Sequence, residues 1–169
     1  PLFPYFSFFY CPMNEPVGVK VSFSFKLRLL FLGLFFILLD QLTKYFTYIH
    51  LPLSVHLYDG FPYGGVGVFQ QFFGIDFSLS HVANRGAAWG AFSQHQDMLN
   101  LFRTIIICLL LFYTFCRPKP YWSHFPLILI SFGAIGNVID YFLYGYVVDM
   151  FKLVFWGYHY PVFNVAEIG

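Results

Sequence analysis

The chain has 169 residues, 59% of them hydrophobic and 24% aromatic, with only nine basic and eight acidic side chains. An ordinary soluble domain is about 45–50% apolar and about 25% charged, so this charge complement would leave such a globule's surface largely greasy. Composition therefore excludes a soluble enzyme and a disordered tail, and a net charge of +1 gives no electrostatic case for nucleic acid.

The chain opens on Pro1 and an aromatic stretch. Pro1–Pro12 read as upstream codons, with Met13 the natural start, and residues 1–24 are expected to lie outside the core. Residues 25–169 are expected to form a single membrane domain. Its C-terminus, at Ile168-Gly169, reads as incomplete. Cys11, Cys108 and Cys116 form neither a CxxC pair nor an even disulfide framework, which points to inert packing.

Three apolar runs follow. The first, Leu29–Ile49, is uninterruptedly non-polar to Leu39 and is then broken by Asp40, Gln41, Thr43 and Lys44. A helix needs about 20 residues to cross a bilayer core, so a spanning helix here carries Asp40 into the membrane. The second run is Met98–Cys116 and the third is Phe125–Tyr144. Lys20, Lys26 and Arg28 precede the first run, and Arg117 and Lys119 join the second to the third. For three crossings both clusters fall on one side, and basic residues mark that side as cytoplasmic.

The segment between the first two runs is rich in Gly and Phe. Within it, Ile75-Asp76-Phe77-Ser78-Leu79-Ser80 alternates with period two, as a half-buried strand requires. Val147–Phe151 is a second extended stretch, also on the outer side. The expected architecture is a mainly α membrane protein with a small outward-facing β element.

Asp40, Asn84, Arg85, Asn137, Asp140, Asp149, Asn164 and Glu167 all fall at or just beyond the outer ends of the runs. Ionisable groups in a bilayer are costly and mark functional sites by default. Packing alone accounts for Gly133 and Gly136, and hydrogen bonding alone for a single Asp40 or Asp140. The convergence of all these groups is harder to dismiss. No GxSxG motif is present, and the six histidines lack metal-ligand spacing, so neither metal nor cofactor is expected. Arg103, early in the second run, would snorkel outward or pair with an acid. Carboxylates remain, and Asp149 and Glu167 are 18 residues apart, room for a hairpin-like excursion. Two close carboxyls can share one proton, one acting as base on a water while the other polarises a carbonyl. That is aspartic-protease chemistry.

Five blocks occur in order: Asp40-Gln-Leu-Thr-Lys44, Asn84-Arg-Gly-Ala-Ala-Trp-Gly90, Gly133-Ala-Ile-Gly-Asn-Val-Ile-Asp140, Gly145-Tyr-Val-Val-Asp149 and Phe163-Asn-Val-Ala-Glu167. Together they resemble the lipoprotein signal peptidases, or signal peptidase II. The resemblance implies a transmembrane helix bundle, three spans being present and a fourth expected, with a β cradle near the outer face of the bacterial cytoplasmic membrane. It implies a monomeric peptidase, embedded in the lipid bilayer, that cuts diacylglyceryl-modified prolipoproteins before the lipidated cysteine. It also implies roles: Asp149 and Glu167 catalytic; Asn84, Asn137 and Asn164 binding substrate or orienting the pair; Asp40, Lys44, Arg85 and Asp140 supporting. Glu167 stands where the family has Asp, and Tyr141 where it usually has Arg. Two other readings remain open, a non-catalytic relative that binds lipidated precursors and a small transporter or channel subunit.

Overall fold

The computed structural model describes residues 22–54, 57–86, 93–116 and 123–168. The sequence expectations for Pro1–Pro12, Met13, Cys11, Lys20, Ala87–Gly90, Arg117 and Lys119 lie outside those residues.

Helix α1 runs Phe23–His50, longer at its start than the apolar run alone predicts. Ser22 supplies the reason: its hydroxyl accepts from the Phe25 amide at 3.3 Å and caps the first turn. The buried residues of α1 are Leu29, Gly33, Asp40, Lys44 and Thr47, a stripe at helical spacing that changes from apolar to polar along its length. Helix α2 runs Gln96–Cys116 and helix α3 runs His124–Tyr144. Helix α3 packs on both others. At one end, Leu29, Ile128 and Phe132 form a core, and Gly33 lets α1 close on the Phe132 ring, where a Cβ would lie 2.5 Å from ring carbons.

Among the described residues two helices, α2 and α3, are long and apolar enough to cross a membrane, with mean hydropathy 2.0 and 1.7. Helix α1 has the length but carries Lys26, Arg28, Asp40 and Lys44. Helix α2 has an apolar exterior and a partly polar buried stripe, the reverse of a soluble protein's helix. In α2 the buried residues are Asn100, Ile107 and Thr114, seven apart, while Phe102, Ile105, Ile106, Leu109 and Phe112 are exposed. Cys108 and Cys116 are free and exposed on the same helix, whose apolar faces point outward.

Four antiparallel strands follow the order β1-β2-β3-β4: Val66–Phe72, Ile75–Asn84, Val147–Phe155 and Tyr158–His159. Both hairpins turn through an aromatic-glycine pair with two positive φ angles, Phe73 (53°) with Gly74 (80°) and Trp156 (48°) with Gly157 (84°). Such turns match the twist of the strands they join. The two tips also bind each other, the Trp156 amide donating to the Gly74 carbonyl at 2.8 Å. After β4 the chain returns so that Phe163 bridges Phe151, with mutual backbone bonds of 2.8 and 3.3 Å. That return sets Asn164 beside β3 and leads into a short 3-10 turn, Val165–Glu167.

Candidate active site

The floor of the site is a buried charge cluster between α1 and α3. Lys44, fully buried, lies 2.7 Å from an oxygen of Asp40 one helical turn before it and 2.7 Å from an oxygen of Asp140 on α3. Its third donor goes to Asn137 Oδ1 at 2.8 Å. An ammonium has three hydrogens, and here each has an acceptor. Gln41 closes the cluster by donating to Asp140 Oδ1 at 2.8 Å and to the Gly136 carbonyl at 3.2 Å. Burying charges is tolerable only with such complete pairing.

The cluster also reaches outward to both blocks above it. Asp140 Oδ2 accepts from the Val148 amide at 3.2 Å, fixing the start of β3, and Asp40 Oδ1 accepts from the Ala166 amide at 2.9 Å. Gly133 and Gly136 permit this approach. A Cβ on Gly136 would sit 2.5 Å from Asp40 Oδ2, and one on Gly133 would collide with the Ala166 carbonyl.

Asp149 stands above this floor on β3, opposite Val82 and 1% exposed. Two amides hold its carboxylate: Asn84 Nδ2 donates to Oδ2 at 3.0 Å, and Asn164 Nδ2 donates to Oδ1 at 2.6 Å. Asn164 also donates to Asn137 Oδ1 at 3.2 Å, joining the carboxylate to the lysine cluster. On the other flank, Asn84 Oδ1 accepts from the Gly86 amide at 3.0 Å, and the Gly86 carbonyl accepts from Arg103 on α2 at 2.8 Å. Arg103 therefore steadies Asn84 through backbone, neither snorkelling outward nor bridging an acid directly.

Burial pushes the Asp149 carboxyl up to about 7; the charge of Glu167 adds to this, while the two amides and Lys44 oppose it. Glu167 keeps solvent access, yet the surrounding protein also raises its carboxyl, with Lys44 and Arg103 pulling the other way and Asp40 adding to the rise. Two carboxyls raised in one place give a site that holds a proton near neutral pH.

Of the residues singled out from sequence, Asp40, Lys44, Asn137, Asp140, Asn84, Asn164 and Asp149 share one continuous set of hydrogen bonds, and Glu167 lies at its edge. Arg85 stands apart, exposed at the rim of a cleft that Asp149 also lines. Tyr141 donates to Asp97 at the start of α2. Gln41 stands in the first of the five blocks but has no role implied there, and Lys152 carries no sequence signal that separates it from surface polar residues. Among the described residues no three His, Cys, Asp or Glu side chains are grouped to hold a metal.

A buried carboxyl held by two amides, with a second carboxyl nearby, on a helical scaffold with an apolar exterior, is an arrangement compatible with the class of membrane aspartic peptidases. The family described as Signal peptidase (SPase) II matches residues 32–169, and the chain belongs to that family. It is 37% identical over 138 residues to a lipoprotein signal peptidase of Chlamydia felis, an alignment covering 79% of each chain. It is 43% identical over 94 residues to the lipoprotein signal peptidase of Clostridium acetobutylicum, covering 54% of this chain and 61% of that one. Its fold is similar to a solved bacterial membrane enzyme determined in meso at 2.3 Å, with a TM-score of 0.68 and 24% identity over 89% of this chain and 83% of that one. Family membership favours the peptidase reading over the transporter and binder readings.

Proposed function

We propose that this chain removes signal peptides from diacylglyceryl-modified prolipoproteins, cutting just before the lipidated cysteine, with Asp149 and Glu167 as the catalytic pair. The pair shares one proton. The ionised member takes a proton from water as the water oxygen attacks the scissile carbonyl carbon; the protonated member polarises that carbonyl and then protonates the leaving amine. The C–N bond breaks, leaving a carboxylate on the signal peptide and a free amine on the lipidated cysteine. Asn84 and Asn164 orient Asp149, Asn137 links it to the floor, and Asp40, Lys44 and Asp140 support. Glu167 reaches about one C–C bond, ~1.5 Å, further than the family's aspartate. The observation that carries this reading is the doubly amide-held Asp149, its carboxyl raised first by burial and then by Glu167.

The reading includes orientation and extent. Residues 25–169 act as one domain, with α1, α2 and α3 spanning the bacterial cytoplasmic membrane and the sheet near its outer face. Lys26 Nζ donates to the Phe115 carbonyl at 2.7 Å, so the start of α1 and the end of α2 share one end. Among the described residues Lys26 and Arg28 lie toward that end, and Asp40, Asp140, Asp149 and Glu167 lie toward the other.

The test is cleavage in detergent micelles of two synthetic precursors that differ only in the diacylglyceryl group on cysteine. The lipidated precursor is cut to a product starting at that cysteine, and the unmodified one is not. Equal cutting of both would contradict the proposed substrate.

A further inference from the structure

The cleft that Asp149 lines continues to a second buried charge with no part in the proposed chemistry. It has a volume of about 390 Å³, and its lining includes Tyr58, Asn84, Arg85, Asp149, Lys152 and His159. Lys152 is 2% exposed. A lysine this deeply buried ordinarily has a carboxylate partner, and none pairs with it among the described residues. Among the described residues its ammonium donates only to the Tyr160 carbonyl, at 3.5 Å, and it lies 5.1 Å from the centre of the Tyr58 ring. The Nδ1 of His159, in the same lining, is also buried without a hydrogen-bond partner among the described residues. Burial pulls the Lys152 ammonium below its ordinary range, with no acid restoring it. An acceptor is missing, and Arg85 at the rim adds a second cation of the same sign.

We propose that this cleft is a subsite for a carboxylate side chain of the substrate, carried by the residues that follow the lipidated cysteine. The inference rests on the peptidase reading and deepens it. The apolar half of a precursor has apolar helix surfaces to lie against, so the polar half leaves the scissile bond along the sheet. Asp149 and Lys152 line one cleft from positions three residues apart on β3, about 10 Å at ~3.3 Å per residue; the odd spacing turns their side chains to opposite faces of the strand, so the cleft rather than a shared strand face connects them. An extended substrate covers that distance in roughly three residues. An aspartate or glutamate two to four positions after the cysteine would accept from Lys152 and face Arg85. Because Asp149 lines the same cleft, an occupant there lies beside the reacting bond, which favours the substrate itself over a free lipid.

The test uses lipidated peptides identical except for Glu or Gln at the third residue after cysteine. Cleavage is measured with the unaltered chain, Lys152→Met and Lys152→Arg. In parallel, anisotropy measures the affinity of labelled copies N-methylated at the scissile bond. The expected result for the unaltered chain is a preference for Glu of about tenfold, carried mainly by KM and by affinity. Lys152→Met reduces the preference to near one, and Lys152→Arg keeps most of it. A Glu-to-Gln ratio near one in the unaltered chain overturns the subsite whether or not the variants fold, as does an unchanged ratio in a cleaving Lys152→Met. Preferential binding of the Glu peptide without cleavage supports the subsite and counts against the peptidase reading. If adding phosphatidylglycerol tightens binding of the Gln peptide in the unaltered chain but not in Lys152→Met, the cleft belongs to a phospholipid headgroup and the proposal falls.

Discussion

Asn164 donates to Asp149 at 2.6 Å from a position three residues before Glu167, so one amide ties the β3 carboxylate to the turn that carries the second carboxyl. The tie depends on the Phe151–Phe163 bridge just before it, which returns the chain to β3. Beneath it, Asp40 grips the Ala166 amide, so the turn is held from both sides.

Gly133 tests how finely that turn must be placed. Alanine there favours the helix by about 1 kcal/mol, yet its methyl would run into the Ala166 carbonyl. Displacing a catalytic group by ~1 Å can cost 10²-fold in rate. Gly133→Ala is predicted to lower kcat by about 100-fold with KM little changed, in steady-state cleavage of a lipidated peptide. Undiminished kcat would show that the turn tolerates the shift.

Lys44 tests the floor. Lys44→Met leaves Asp40 and Asp140, 2% and 0% exposed, without their cation. Breaking a buried pair in this way costs about 3–5 kcal/mol. The thermal unfolding midpoint in detergent is predicted to fall steeply, and adding Asp40→Asn to Lys44→Met restores part of it, because the two changes share one cluster.

Much of this arrangement is legible in the sequence. The apolar runs map onto α1, α2 and α3, and the alternation from Ile75 to Ser80 lies within β2. Asp40, Asn137, Asp140 and Asp149 stand out because each is a polar residue at the end of an apolar run, where burial needs a partner. Strand β1 leaves no such trace: every residue of Val66–Phe72 is exposed, so no buried face imposes a period of two. Lys152 is equally silent, since its burial comes from the Tyr58 and Tyr160 segments folding over it rather than from its neighbours in sequence. Arg103 reads as a membrane cation, and its partner, the Gly86 carbonyl, is a backbone group that no side-chain pattern encodes.

Asp149 should also set the pH dependence of stability. Its carboxyl is raised from an ordinary 3.8 to about 7 in the folded chain, first by burial and then by Glu167. Between those values the folded state binds more protons than the unfolded state, so stability falls as pH rises from about 4 to about 7. Asp149→Asn removes its share of that slope, leaving the part due to the raised Glu167, and above pH 7 raises the melting midpoint on the order of 5 °C. Melting curves at pH 5 and pH 8 for both chains check it; a midpoint lower in the variant at pH 8 would go against the predicted sign.

The most direct measurement is single-turnover cleavage of a lipidated precursor by Asp149→Asn, at a protein concentration well above substrate and with folding verified by melting. A two-carboxylate mechanism predicts a rate at least about 10³-fold below that of the unaltered chain, with the precursor still bound. Cleavage by Asp149→Asn at the unaltered rate would contradict it.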